Sequence, residues 1–155
     1  MTAKRRGSTW AVRVLLCGMA GLFGVAMPAA GQKAEKYTVR LSPVAMDAAM
    51  KVNITGVGSA TATLEGRKLT VTGSFDGLAT NATIAQIRRG SMMGVRGPAV
   101  LDLTVTKAMA GQIGGSFDLT QEQADALQKG KLYIQIHSEK APDGNLWGWF
   151  TREAK

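Results

Sequence analysis

Cysteine and histidine are almost absent from this chain of 155 residues, which holds one of each, Cys17 and His137. Two thiols are needed for a disulfide, so no internal bridge can brace the fold. Three or four nitrogen, sulfur or carboxylate ligands are needed for a transition-metal site, and one imidazole does not supply them. Nucleophile signatures are missing too, with no Gly-x-Ser-x-Gly elbow and no glycine-rich phosphate loop. Asp102, Asp118, Asp125 and Asp143 are scattered, without the spacing of a paired acid and base. No basic run is interleaved with aromatics, which leaves nucleic-acid binding without support. These absences argue against an enzyme and against a resident cofactor.

Long apolar runs are lacking as well. The longest, Val14–Met27, is broken only by glycines and is shorter than the about 20 residues that a membrane span needs. Lys4, Arg5 and Arg6 precede it, and the small residues Ala29-Ala30-Gly31 follow. Positive head, apolar middle and small-residue end make up a secretory signal peptide. Cleavage after Gly31 is the expectation, leaving residues 32–155 as one domain without a membrane span. Leu16 occupies the place where a lipoprotein signal needs a small residue before Cys17, and Gly7-Ser8-Thr9 lacks the apolar residues that follow a twin-arginine pair. The expected location is therefore outside the cytoplasm, periplasmic or extracellular, by the general export route. Removing residues 1–31 takes four of the 19 basic residues and none of the 11 acidic ones, so the net charge falls from +8 to +4.

What the chain has in quantity is glycine, 19 copies, and short alternating stretches. Tyr37, Val39 and Leu41 alternate with polar residues up to Pro43, a half-buried strand. The stretch 45–53 reads as a helical turn or an edge strand. Ser59–Leu64 and Leu69–Phe75 alternate threonine with aliphatics around Glu65-Gly66-Arg67-Lys68, a hairpin. Further strands are expected at Thr83–Arg88, Ala99–Thr106 and Ile113–Leu119, with a glycine-rich loop over Arg89–Pro98. Thr120 and Gln123 have capping-box spacing ahead of a short helix, and Gly130 fits its stop. Leu132, Ile134 and Ile136 alternate, predicting a strand with one buried face. Pro142-Asp143-Gly144 predicts a turn, and Asn145–Thr151 a last strand with Trp147 and Trp149 on one face. Seven or eight short strands at this spacing imply an all-β sandwich or Greek-key barrel with one short helix.

The order of these pieces resembles the CHRD (chordin) domain. The matching residues run from Gly58–Leu64 and Leu69–Leu78 through Gly97–Leu103 and Gly115–Thr120 to Gly130–His137, Pro142-Asp143-Gly144 and Trp147-Gly148-Trp149-Phe150. Together they cover roughly Lys36–Phe150. The resemblance implies an immunoglobulin-like β-barrel with a distant likeness to copper/zinc superoxide dismutases. It implies secretion and no established biochemical activity. One stretch departs from the pattern. Many bacterial members carry a His-x-His pair where this chain reads Ala85-Gln86-Ile87-Arg88-Arg89-Gly90. Gln86 and Arg88 stand in place of the two imidazoles, and a fixed guanidinium charge repels a cation.

Six residues are candidates for ligand contact. Arg88, Arg89 and Arg96 surround the glycine-rich loop, either gripping a carboxylate or phosphate or forming a solvated face. Trp147 and Trp149 either bind a sugar or partner protein or pack under a second layer. His137 either touches a ligand or is a satisfied, part-buried histidine. Met92 and Met93 in the same loop are soft enough for Cu(I), or serve as a soft contact surface. The sequence thus points to a non-catalytic exported binding or structural module whose partner is an unknown protein or surface ligand. The alternative is a metal-binding redox or metal-carrier protein of dismutase type.

Overall fold

The computed structural model describes residues 33–44 and 48–154. The expected signal segment 1–31 and the first residues of the ambiguous 45–53 stretch lie outside them.

Among the described residues nine strands and one helix follow in order: β1 (Glu35–Pro43), β2 (Val57–Glu65), β3 (Lys68–Asp76), β4 (Ala82–Arg89), β5 (Ala99–Val105), β6 (Gly111–Asp118), α1 (Gln121–Gln128), β7 (Leu132–Ser138), β8 (Ala141–Trp149) and β9 (Thr151–Arg152). All pairings are antiparallel. They run β2-β3-β6-β5-β4-β7-β8-β1, and β1 pairs back with β2, which closes an eight-stranded barrel. β9 adds to β1 through Tyr37↔Arg152 and Thr38↔Thr151. Closure removes the free edges that an open sheet leaves to other chains. The joint between β5 and β6 is short, with only Thr104↔Gly114 and Val105↔Ile113 in register.

The alternation read in the sequence sets the barrel wall. In β3 the residues Leu69, Val71 and Phe75 are buried while Thr70 and Thr72 face water. The β2–β3 hairpin turns at Gly66-Arg67, with every pair from Val57↔Asp76 to Glu65↔Lys68 in register. α1 has the expected capping box: the Gln123 backbone N–H donates to Thr120 Oγ1, and the Thr120 N–H donates to Gln123 Oε1. Ala124, Ala126 and Leu127 enter the main core. Gly130, at φ +66, ends the helix. Residues 48–53 form a turn, in which the Asn53 and Ile54 N–H groups donate to the Met50 carbonyl.

Two local expectations are corrected. Pro142-Asp143-Gly144 is not the turn between the last two long strands. That turn is Glu139-Lys140, closed by Ser138↔Ala141, and the Pro-Asp-Gly segment lies inside β8. β7, expected to bury one face, buries every residue from Leu132 to Ser138. The pairings Ile136↔Leu146 and Ser138↔Ala141 hold the Pro-Asp-Gly segment within β8, and the outward residues of β7 are covered by groups outside the barrel wall, among them Gly97 over Tyr133 and the Pro142 carbonyl over His137. Among the described residues no helix is long and apolar enough to cross a membrane.

Candidate binding site

The β7–β8 hairpin holds the irregularity from which the site is built. Ile136 pairs with Leu146 and Ser138 with Ala141, so one residue, His137, faces four, Pro142 to Asn145. The surplus residues form a wide bulge. Gly144 makes it possible. Its φ is +126, and a Cβ there would run into the Gln135 side-chain amide. The bulge turns two backbone carbonyls toward neighbouring side chains. His137 Nδ1 lies 2.6 Å from the Pro142 oxygen. The Asp143 oxygen accepts from Gln135 Nε2 at 2.7 Å and from Arg96 Nη1 at 3.1 Å.

Alternate residues of β4, β7 and β8 point away from the core. Register sets them in two rows. In the first, Arg88 faces Tyr133, and Tyr133 faces Trp149. In the second, Asp102, Gln86, Gln135 and Trp147 follow one another across β5, β4, β7 and β8. The Tyr133 and Trp149 ring centres lie 4.5 Å apart with the planes tilted by 36°, and Trp147 meets both edge-on at 6.0 and 6.3 Å. Gln86 donates to Asp102 at 2.8 Å and accepts from Arg88 Nη1 at 2.9 Å. The two positions where imidazoles would stand are thus tied into a polar ladder along the sheet.

Loops cover this outer face from two sides. The 90–98 loop folds back over Tyr133 and Trp149. Arg88 Nε donates to the Gly97 carbonyl at 2.9 Å, and the Gly97 N–H donates to Tyr133 Oη at 3.0 Å. A Cβ on Gly90 would lie 2.6 Å from the Trp149 ring. From the other side, Ile54 joins Val44 and Ala141 in a small second core against which Trp147 packs. Asn145 fastens this layer by donating to the Thr55 carbonyl at 2.9 Å. The second packed layer read as an alternative role for the tryptophans is therefore real, and both rings remain part exposed. Between the layers, beside the bulge, lies a cleft of about 240 Å³ with Arg96 and Lys140 among its lining residues.

His137 is buried, at 6 % exposure. Burial lowers its pKa first. The Arg88 and Arg96 charges lower it further, while the Pro142 hydrogen bond and Asp143 work in the other direction. A carbonyl can only accept, so Nδ1 carries the proton in the neutral ring and Nε2 presents a lone pair. Nε2 has no partner among the described residues, and neither do the buried Ser138 Oγ and Asn145 Oδ1.

Of the six candidates, five gather on this face: Arg88, Arg96, His137, Trp147 and Trp149. Arg89 does not. It follows Arg88 in β4 and so points the other way, pairing with Glu122 at the start of α1. Met92 and Met93 stand exposed in the 90–98 loop. Sequence reasoning missed Lys140, Gln135, Asn145 and Ile54. The Pro-Asp-Gly triplet was the one available signal, since a turn sequence inside a strand can also mark a bulge. Among the described residues no three His, Cys, Asp or Glu side chains gather where they could hold a metal ion.

These features define a small closed β-barrel domain with a loop-built cleft on one flank. The CHRD domain family model matches residues 37–149, and the chain belongs to that family. No curated protein and no solved structure is significantly similar to it.

Proposed function

We propose that this protein is an exported, non-catalytic CHRD domain that binds a protein or surface ligand at the cell envelope. The contact surface is the outer side of β7 and β8. The observation that carries this reading is the arrangement there: part-exposed Trp147 and Trp149 on β8, paired to the fully buried strand β7, with Arg96 bound to the Asp143 carbonyl of β8. Aromatic and arginine side chains on a rigid support are the usual anchors of recognition surfaces. The three-part N-terminus supports export. Strands β4, β5 and β6 follow one another as hairpins and β7 returns beside β4, which fits the Greek-key, immunoglobulin-like architecture that the family resemblance implies.

Retention of the purified protein on isolated cell envelopes tests the reading. Trp149→Ser combined with Arg96→Glu should abolish most retention, whereas Thr72→Val on the far side of the barrel should not change it. Equal retention by all three proteins would contradict the proposal.

A further inference from the structure

We propose that the cleft beside the β8 bulge is a binding site for a small organic carboxylate with an apolar body. This deepens the reading of the β7–β8 flank as a binding surface and rests on it. The cleft is framed by three segments: the turn ending at Ile54, the end of the 90–98 loop, and the Lys140–Gly144 part of the hairpin. Its volume of about 240 Å³ lies just below the ordinary range for small-molecule pockets, roughly 300–1,000 Å³. The ligand body is therefore a short aliphatic chain or a single ring.

The chemistry of the walls is divided. Ile54, Ala141 and Pro142 give an apolar side, backed by the small core around Val44 and Trp147. Arg96 and Lys140 supply two cations on the same cleft. Neither forms an ion pair among the described residues, whose ion pairs are Arg89–Glu122 and Arg152–Glu35. Arg96 gives one N–H to the Asp143 carbonyl and keeps further donors. Asp143 is the one acid among the lining residues, and its carboxylate also stands outside those two ion pairs. Two cations against one acid leave the cleft with a net positive charge. Both cations are solvent-exposed on the cleft rim and free to turn toward an anion. A carboxylate between Arg96 and Lys140 gains charge-assisted hydrogen bonds, while its body covers the apolar side.

The frame is also fixed before any ligand arrives. Asn145 joins the bulge to Thr55, Arg96 joins the 90–98 loop to Asp143, and Gln135 holds the same carbonyl from below. A prearranged cleft loses little freedom on binding.

The test is an NMR titration of the purified, isotope-labelled protein with 4-methylpentanoate and, separately, with its neutral amide, 4-methylpentanamide. The carboxylate should shift the backbone signals of Ile54, Ala141 and Gly144 saturably and with one-to-one stoichiometry. The amide should bind about tenfold more weakly or less. Arg96→Gln and Lys140→Gln should each weaken the carboxylate about tenfold, Arg96→Lys should restore most of the affinity, and Arg67→Gln, in the β2–β3 turn, should leave it unchanged. Absence of a saturable shift would overturn the proposal. So would equal affinity for acid and amide, or unchanged binding by both glutamine variants while their spectra keep native dispersion. If the carboxylate fails to bind while envelope retention persists, this inference falls alone. If it binds while retention is insensitive to Trp149 and Arg96, the envelope reading falls instead.

Discussion

Two residues carry most of the site's geometry, and each gives a measurable expectation. Gly144 occupies a left-handed conformation and lies against the Gln135 amide. Gly144→Ala would add backbone strain and a collision, at a cost of about 2–4 kcal/mol in urea unfolding. A cost under about 0.5 kcal/mol would mean that the bulge relaxes freely. His137 makes stability depend on pH. Its pKa in the folded state is lowered, chiefly by burial. Above the unfolded value of about 6.5 the ring is neutral in both states and stability is complete. As pH falls below that value, the unfolded chain binds a proton that the folded one resists, so stability declines. A proton on Nε2 would also find no acceptor there among the described residues. The denaturation midpoint should therefore be lower at about pH 5 than at about pH 7.5, and His137→Gln should remove much of the difference. An unchanged difference in the variant would assign the effect to other groups.

At the level of elements, β7 bears the load on both sides. Ile134 is fully buried in the barrel core, and Ile134→Ala should cost roughly 2–5 kcal/mol in the same unfolding measurement. A loss below about 1 kcal/mol would show that the strand is an exposed edge. The elements that could be read from sequence are those specified by nearby residues. The threonine–aliphatic alternation around Gly66 gives the β2–β3 hairpin, and Thr120, Gln123 and Gly130 delimit α1. β7 was legible on one face only. The material covering its other face comes from the 90–98 loop at Tyr133, from the Trp147 and Trp149 rings and from the β8 bulge over Gln135 and His137, none of which the pattern of β7 itself announces. The Pro142-Asp143-Gly144 triplet misled for a related reason. Its turn chemistry is genuine, but register with Ile136 and Ser138 turns it into a bulge, and the reversal falls on Glu139-Lys140, which lacks strong turn residues. The same holds for the site. Trp147, Trp149, His137, Arg88 and Arg96 stand out by residue type, whereas Arg89 differs from Arg88 only in the direction that strand alternation gives it. Lys140 and Asn145 acquire their places only once the bulge exists.

For the whole molecule, the closed barrel is a scaffold whose wall is complete without a disulfide or a metal cluster among the described residues. The N-terminal segment gives an expectation about processing. Mass spectrometry of exported protein should give a mass lacking residues 1–31, with Gln32 first; a lipid-modified form beginning at Cys17 would contradict it. In the function proposed, the domain works by binding through its β7–β8 flank and not through a tightly held transition metal. The chain has one histidine. Gln86 and Arg88 are engaged with each other and with Asp102 and Gly97. Arg88 and Arg96 also set positive charge near the His137 ring, which opposes a divalent cation. Titration calorimetry of the purified protein with Cu(II) and Zn(II) tests this most directly. No one-to-one binding at about micromolar affinity or tighter is expected, and tight one-to-one binding that disappears in a folded His137→Gln variant would contradict the binding role.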